Sequence, residues 1–325
     1  MEHFYQNAGD LRKTSLEGFY RIHQNMVQLR ENPCYLCRKT QKDPSRIALI
    51  SGGGSGHEPL HIGMIGRGML DAACPGEVFT SPTPDQIVGA LSDLNPQNGT
   101  LLIVKNFAGD LMNFEMALEM ANQKCRILIV SDDVAIDNKS QRRGLSGTVI
   151  VEKIVGALAE KSDDLNACWE IGDRVVRNTG TIGVALSGCT FPGHNRTTFH
   201  LQPNEIEYGV GIHGEQGVER LRDLTIDELI HKMTDNIITE ISLKPGEEVL
   251  LLVNGMGSTS LIELQSIYSL ADDFCRESGL KTIRSLIGNF ATALDMKGAS
   301  ISISRMDPEL LQLWDAPVET PTLRW

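Results

Sequence analysis

The feature that most constrains this chain is a short apolar run that ends in glycines. Arg46-Ile47-Ala48-Leu49-Ile50 reads as a buried strand, and Ser51-Gly52-Gly53-Gly54-Ser55-Gly56-His57 follows at once. Four glycines and two serines in seven residues let the backbone pass close to a ligand and turn its N–H groups inward. A strand, a glycine loop and then an amphipathic helix would open a βαβ unit. Further buried-strand candidates lie at Leu101 to Val104, Ile127 to Val130, Ile182 to Leu186 and Val249 to Val253. Helical patterns occupy residues 1–30, Asp110 to Asn122, Thr148 to Glu160 and Leu261 to Arg276. Alternation of this kind predicts an α/β fold with a largely parallel sheet covered on both faces.

A chain of 325 residues suits two α/β domains. The stretch from Cys189 to Pro203 is rich in Pro, His, Asn and Thr and reads as loop. The expected division is therefore an N-terminal α/β domain over residues 1–185, holding the glycine loop, and a C-terminal α/β domain over residues 186–325, holding His213.

Charge and cysteine usage narrow the function. The net charge is −12, and no Lys/Arg cluster offers a footprint for phosphates, so no direct nucleic-acid partner is expected. No apolar run approaches the roughly 20 residues of a membrane helix, so no membrane is expected. Seven scattered cysteines and no signal-peptide pattern predict reduced thiols in the cytoplasm. Cys34 and Cys37 form a C-x-x-C without the second pair that a zinc site requires. Asn98-Gly99-Thr100 and Asn195-Arg196-Thr197 match the glycosylation triplet, by chance in a cytoplasmic chain.

Chemistry gathers in three segments. After the glycine loop, a phosphate-binding Walker pattern would need Gly-Lys-Ser/Thr, but Gly56 is followed by His57-Glu58-Pro59. The loop Gly54-Ser55-Gly56 thus suits a small polar ligand better than ATP, or else is a tight turn. His57 could be a hydrogen-bond partner, a general acid/base or a cap for the next helix. His57-Glu58-Pro59-Leu60-His61 fits the H-E-x-x-H spacing of a zinc site, but Pro59 and the loop put His57 at or before a helix start, so no metal is expected. In the second segment, Lys105 and Asp110 sit at the end of the strand candidate at 101–104, where open α/β sheets gather ligands. Asp110 is either the N-cap of the following helix or a carboxylate that takes a proton from a substrate hydroxyl. The third segment, Gly209-Val210-Gly211-Ile212-His213-Gly214, has a formal G-x-G-x-x-G but lacks the strand before and the helix after. His213 is then either a loop histidine with a satisfied ring or an imidazole that the glycines leave open to a carbonyl.

Taken together, Ser51 to Pro59, Phe79-Thr80-Ser81-Pro82-Thr83-Pro84, Lys105 to Asp110, Arg142-Arg143-Gly144, Gly209 to Gly214 and Trp314-Asp315-Ala316-Pro317 resemble the K subunit of dihydroxyacetone kinases, of the phosphotransferase-system-dependent type. The resemblance runs from about Ser15 to the C-terminus. It implies a phosphotransferase with an alcohol acceptor, dependent on phosphoenolpyruvate. It implies that His213 adds to the ketone of dihydroxyacetone as a hemiaminal, which selects a short ketose over glycerol. By the same resemblance Gly54, Ser55, Gly56, His57, Lys105 and Asp110 hold the substrate, and His57 and Asp110 help deprotonate the attacking hydroxyl. ADP and magnesium are expected on a separate L subunit, recharged by a phosphotransferase-system phosphocarrier, because this chain ends soon after Pro317. Members of this type are homodimers.

Two departures stand out. The stretch from Ser131 to Gly144 is a few residues shorter than the family pattern, and Gln216 replaces a proline usual after His-Gly-Glu. The shorter stretch bears on L-subunit docking and substrate size. It motivates two alternatives: a ketone-sensing transcriptional co-activator, and a kinase subunit for a four-carbon ketose such as erythrulose.

Overall fold

The strands form two six-stranded sheets. The fold is that of a computed structural model that describes residues 4, 5, 7–193 and 197–325, so Asn195 and Arg196 of the second glycosylation triplet lie outside it. The first sheet contains β1 (Val27–Glu31), β2 (Cys34–Arg38), β3 (Ala48–Ser55), β4 (Ala72–Val78), β5 (Thr100–Lys105) and β6 (Cys125–Val130), in the order β1-β2-β4-β3-β5-β6. Strands β4, β3, β5 and β6 are parallel, and the β1–β2 hairpin adds an antiparallel edge. The helices of this half are α1 (Leu11–His23), α2 (Pro84–Leu94), α3 (Ala108–Met120), α4 (Gly147–Ala159) and α5 (Leu165–Asn178). The second sheet contains β7 (Thr179–Ala185), β8 (Glu205–Tyr208), β9 (Glu219–Arg222), β10 (Glu248–Gly255), β11 (Lys281–Gly288) and β12 (Gly298–Met306), in the order β11-β10-β12-β7-β8-β9. With it come α6 (Ile226–Glu240), α7 (Leu261–Glu277) and α8 (Pro308–Asp315).

The period of two decides which helices cover which face. On β5, Leu101 and Ile103 join the apolar cluster of α4, α5 and α8, whereas Leu102 and Val104 pack with α2 and α3. On β10, Leu250 and Leu252 face that same central layer, and Val249, Leu251 and Val253 face α6 and α7. The layers therefore run α2/α3, first sheet, α4/α5/α8, second sheet, α6/α7, with one apolar core shared between the sheets. Helix α4 is buried nearly all round, which fits its Val/Ile/Ala/Gly composition. Among the described residues no helix is long and apolar enough to cross a membrane.

Three expectations change. No amphipathic helix follows the glycine loop. Gly52 and Gly53 stay in β3, paired with Cys74 and Pro75, and the chain returns to β4 through turns and the short 3-10 turn Ile62–Met64. Glycines without a Cβ tolerate that close pairing, and Pro59 removes a helix donor. The division expected at 185/186 falls after β7, yet β7 pairs with β12 and β8 in the second sheet. Residues 27–30, read as helical, belong instead to the edge strand β1. Strand β12 shows no continuous apolar run because Ser300, Ser302 and Ser304 alternate with Ile301 and Ile303. Its serines are buried against Ser146, Thr181 and Thr179 in a hydroxyl layer.

Candidate active site

The end of β3 is shaped by missing side chains. A Cβ on Gly53 would lie 2.5 Å from Lys105 Nζ, and one on Gly56, at φ 101°, would lie 2.8 Å from the Phe79 ring. A side chain at Gly56 would be strained, one at Gly53 would displace Lys105 Nζ, and glycine at both leaves the loop in contact with its neighbours. Gly56 N–H donates to Glu58 Oε2 at 2.8 Å. Ser55 Oγ donates to the Gly76 carbonyl at 2.7 Å, so its hydroxyl ties the loop to β4. Gly54 lies against Phe79 and the Thr80 backbone.

His57 is held from the other sheet. Its Nδ1 lies 2.7 Å from the Thr292 carbonyl. A carbonyl only accepts, so Nδ1 carries the hydrogen and Nε2 the lone pair. That Nε2 is buried and has no partner. Thr292 Oγ1 donates in turn to the carbonyls of Gly56 and Glu58, at 3.1 and 3.0 Å. Asn254, at the end of β10, steadies this stretch through the Phe290 and Ala291 N–H groups and the Ala291 carbonyl. Burial first, then His213 and Lys105, push the His57 imidazole well below its ordinary value. His57 is thus a neutral base with a free lone pair, not a helix cap.

That lone pair belongs to a ring packed against His213. The two imidazoles meet edge to face at 4.6 Å between centroids, and Phe79 stacks on His57 at 4.9 Å. Phe107 meets His213 at 4.3 Å. His213 sits in the loop between β8 and β9, where Gly209 and Gly214 take positive φ and no helix follows, so the formal dinucleotide fingerprint is a loop. Its backbone N–H donates to Glu215 Oε2 at 2.8 Å. Arg143 binds the other Glu215 oxygen at 2.9 Å, Asp133 at 2.6 Å and the Gly209 carbonyl at 2.7 Å. The short stretch 131–144 is therefore the brace of the His213 loop. Neither ring nitrogen of His213 has a hydrogen-bond partner among the described residues. Burial, opposed by Glu215, lowers its pKa.

Lys105 and Asp110 meet at the end of β5. Lys105 is fully buried, with Nζ 3.2 Å from the Gly52 carbonyl and 3.8 Å from Asp110 Oδ2. Asp110 is not the N-cap of α3. That place is Phe107, without a side-chain cap, and Asp110 stands in the first turn facing Lys105. His61 shares no helix face with His57. Its Nε2 lies 2.6 Å from Lys105 Nζ and its Nδ1 2.6 Å from Glu152 Oε1. Among the described residues no cluster of His, Cys, Asp or Glu could hold a metal, and all seven cysteines are free. Cys34 and Cys37, three apart on β2, point to opposite faces of the sheet.

The arrangement brings together a neutral imidazole with both nitrogens unpartnered, a second imidazole with a free lone pair, an ammonium and a carboxylate. It can receive a small polar molecule, attack a carbonyl and move a proton. Sequence reasoning brought His57, Lys105, Asp110 and His213 forward. It did not assign roles to Phe107, Arg143, Glu152, Glu215 or Thr292. Each of these acts through a contact distant in the chain, and the only signal was the apolar or polar type itself.

Comparison with known proteins finds relatives of this chain. The Dak1 domain model matches residues 17–322. The chain is 39% identical to the PEP-dependent dihydroxyacetone kinase, dihydroxyacetone-binding subunit DhaK, of Escherichia coli (strain K12), across 100% of this chain and 99% of that protein. Among solved structures it resembles the native dihydroxyacetone kinase of C. freundii, with TM-score 0.90 and 31% identity, covering 99% of this chain and 60% of that one. It also resembles the dihydroxyacetone kinase operon co-activator Dha-DhaQ, with TM-score 0.89 and 31% identity over 95% of this chain and 96% of that one.

Proposed function

The chain belongs to the Dak1 family, and from that premise we propose that it is the dihydroxyacetone-binding subunit of a dihydroxyacetone kinase. The observation that carries the reading is the unpartnered His213 ring packed against His57, whose own Nε2 is free. A ring nitrogen of His213 adds to the ketone carbon. The carbonyl π pair moves to oxygen, which gains a proton while the imidazole loses one, and the product is a neutral hemiaminal. Glycerol has no carbonyl and is refused. Gly54, Ser55, Gly56, Lys105 and Asp110 line the side where hydroxyls are held. His57 Nε2 and Asp110 accept the proton of the hydroxyl that attacks phosphorus, and positioning supplies much of the rate.

The phosphoryl group comes from a separate nucleotide-bearing L subunit, which carries ADP and magnesium and is recharged by a phosphotransferase-system phosphocarrier. The chain itself acts as a homodimer. Its correspondence to 60% of the C. freundii kinase supports a second component. The test mixes the chain with cognate L proteins, their phosphoryl donor and dihydroxyacetone. Phosphorylated ketose is the expected product, and no transfer with any cognate L protein sinks the reading. The likeness to Dha-DhaQ favours a second reading, a ketone-sensing co-activator. Capture of a transcription factor only in the presence of ketone, without turnover, would establish it. Side-by-side kcat/KM values for dihydroxyacetone and erythrulose decide the ketose.

A further inference from the structure

Glu152 has no part in that reaction. It lies midway along α4 with no exposed surface, among Val, Ile, Ala and Gly side chains. A carboxyl there is strongly disfavoured unless it is paired or protonated. Only one of its oxygens is partnered: Oε1 lies 2.6 Å from His61 Nδ1, while Oε2 is buried with none. His61 Nε2 lies 2.6 Å from Lys105 Nζ. A line of short contacts thus runs from the shared core to the end of β5, where the ketose side of the site begins.

Two proton arrangements satisfy both short contacts. In the first, Glu152 is a carboxylate, His61 carries its hydrogen on Nδ1, and Lys105 is an ammonium that donates to Nε2. In the second, Glu152 is a carboxylic acid that donates to Nδ1, and His61 carries its hydrogen on Nε2 and donates to a Lys105 amine. The two interconvert by passing one proton from Lys105 to Nε2 and one from Nδ1 to Glu152. Bound protons and total charge are the same in both.

We propose that Glu152, His61 and Lys105 form a buried proton relay in which a tautomer switch at His61 sets whether Lys105 meets the ligand as an ammonium or as an amine. Glu152 and His61 are positioning residues here, acting through Lys105. The relay rests on the ketone-binding reading for its purpose, but not for its geometry.

Opposed influences populate both arrangements. Ser51 Oγ donates to the Ile103 carbonyl at 2.7 Å, so toward His61 Nδ1, 3.0 Å away, it can only accept, which favours the first. The Asp110 carboxylate and the Gly52 carbonyl, both facing Nζ, favour the ammonium as well. Burial favours the second: it pushes Glu152 up to about 8 and Lys105 down, and it holds His61 well below the usual imidazole value. His57 is itself neutral and adds no charge. The switch therefore puts a positive charge on Lys105 or removes it, moves the countercharge on Glu152 with it, and leaves the total charge of the three groups unchanged.

The test is nitrogen NMR of the His61 ring in the full chain, ligand-free and with dihydroxyacetone added. In the wild type both ring nitrogens are expected between the protonated and unprotonated limits, as averages over two tautomers. In Glu152→Gln the amide oxygen accepts from Nδ1 and cannot take up a proton, so His61 should move to the Nδ1–H limit. A wild-type ring already at one limit, and unmoved by Glu152→Gln, overturns the relay. The ligand-free wild-type spectrum decides alone if the variant fails to fold. Averaged His61 signals with no ketone binding would instead uphold the relay and overturn the ketone reading.

Discussion

His57 and His61 leave the same glycine loop four residues apart and end in different surroundings. Both are buried, and both are driven neutral by that burial. His57 has one nitrogen fixed by a backbone carbonyl from the other sheet and the other left free beside His213. His61 has both nitrogens occupied, by Glu152 and Lys105, and faces the core. The difference comes from what each second nitrogen meets, not from spacing or residue type. A free lone pair next to an open imidazole is poised for chemistry. A ring occupied at both nitrogens, by Lys105 and by Glu152, can only pass protons between those two groups.

The comparison breaks most completely at His213. His213→Ala removes the nucleophile, so stable capture of dihydroxyacetone should be abolished. With the ketone carbon labelled, the wild type should convert its carbonyl signal to that of a saturated carbon, and the variant should not. Unchanged affinity in the variant would refute the adduct. Such a result would also make the openness of the His57 side incidental.

The next effect is smaller and separates capture from turnover. His57→Asn keeps an amide donor in the place of Nδ1 for the Thr292 carbonyl but loses the basic lone pair. Ketone capture should persist, while turnover with the L protein falls by roughly 10²–10⁴-fold, the range for a lost general base. Capture lost together with turnover would show that His57 shapes the pocket and does not move the proton.

How much of this was legible in the sequence differs between the two histidines. The strands that end at the site were readable, because Leu101 to Val104 and Val249 to Val253 are buried on both faces and therefore continuously apolar. Strand β12 was not, because its serines satisfy one another within a buried layer that mimics a solvent face. The helix expected after His57 failed because a glycine-rich stretch can pair as strand when a neighbour offers its edge, as β4 does. Asp110 was placed at the right strand end, but its cap role went to Phe107, since the helix starts earlier than the apolar period shows. His213 stood out only through the family resemblance; among glycines an imidazole is unremarkable by spacing. Thr292 and Glu152 carry no local signal, because they reach the loop from 235 and 91 residues away.

The smallest effect is a shift, and it tests the electrostatics of the open side. Only neutral His213 can add to a carbonyl, so capture is present at high pH and fails as pH falls through the folded value of His213. Burial is the largest influence on that value and lowers it from the ordinary 6.5; Lys105 and Arg143 act the same way, and Glu215 and Asp110 oppose. His57 beside it is itself neutral and adds no charge. The midpoint of ketone capture should therefore lie below 6.5, measured by ligand titration over a descending pH series. Glu215→Gln removes the largest opposing charge while keeping an oxygen for the His213 N–H or for Arg143, so the midpoint should fall further. An upward shift in Glu215→Gln would mean that Glu215 acts by bracing the loop with Arg143 and not by its charge. A wild-type midpoint above 6.5 would mean that the ring is more open to water than its contacts with Phe79, Phe107 and His57 imply.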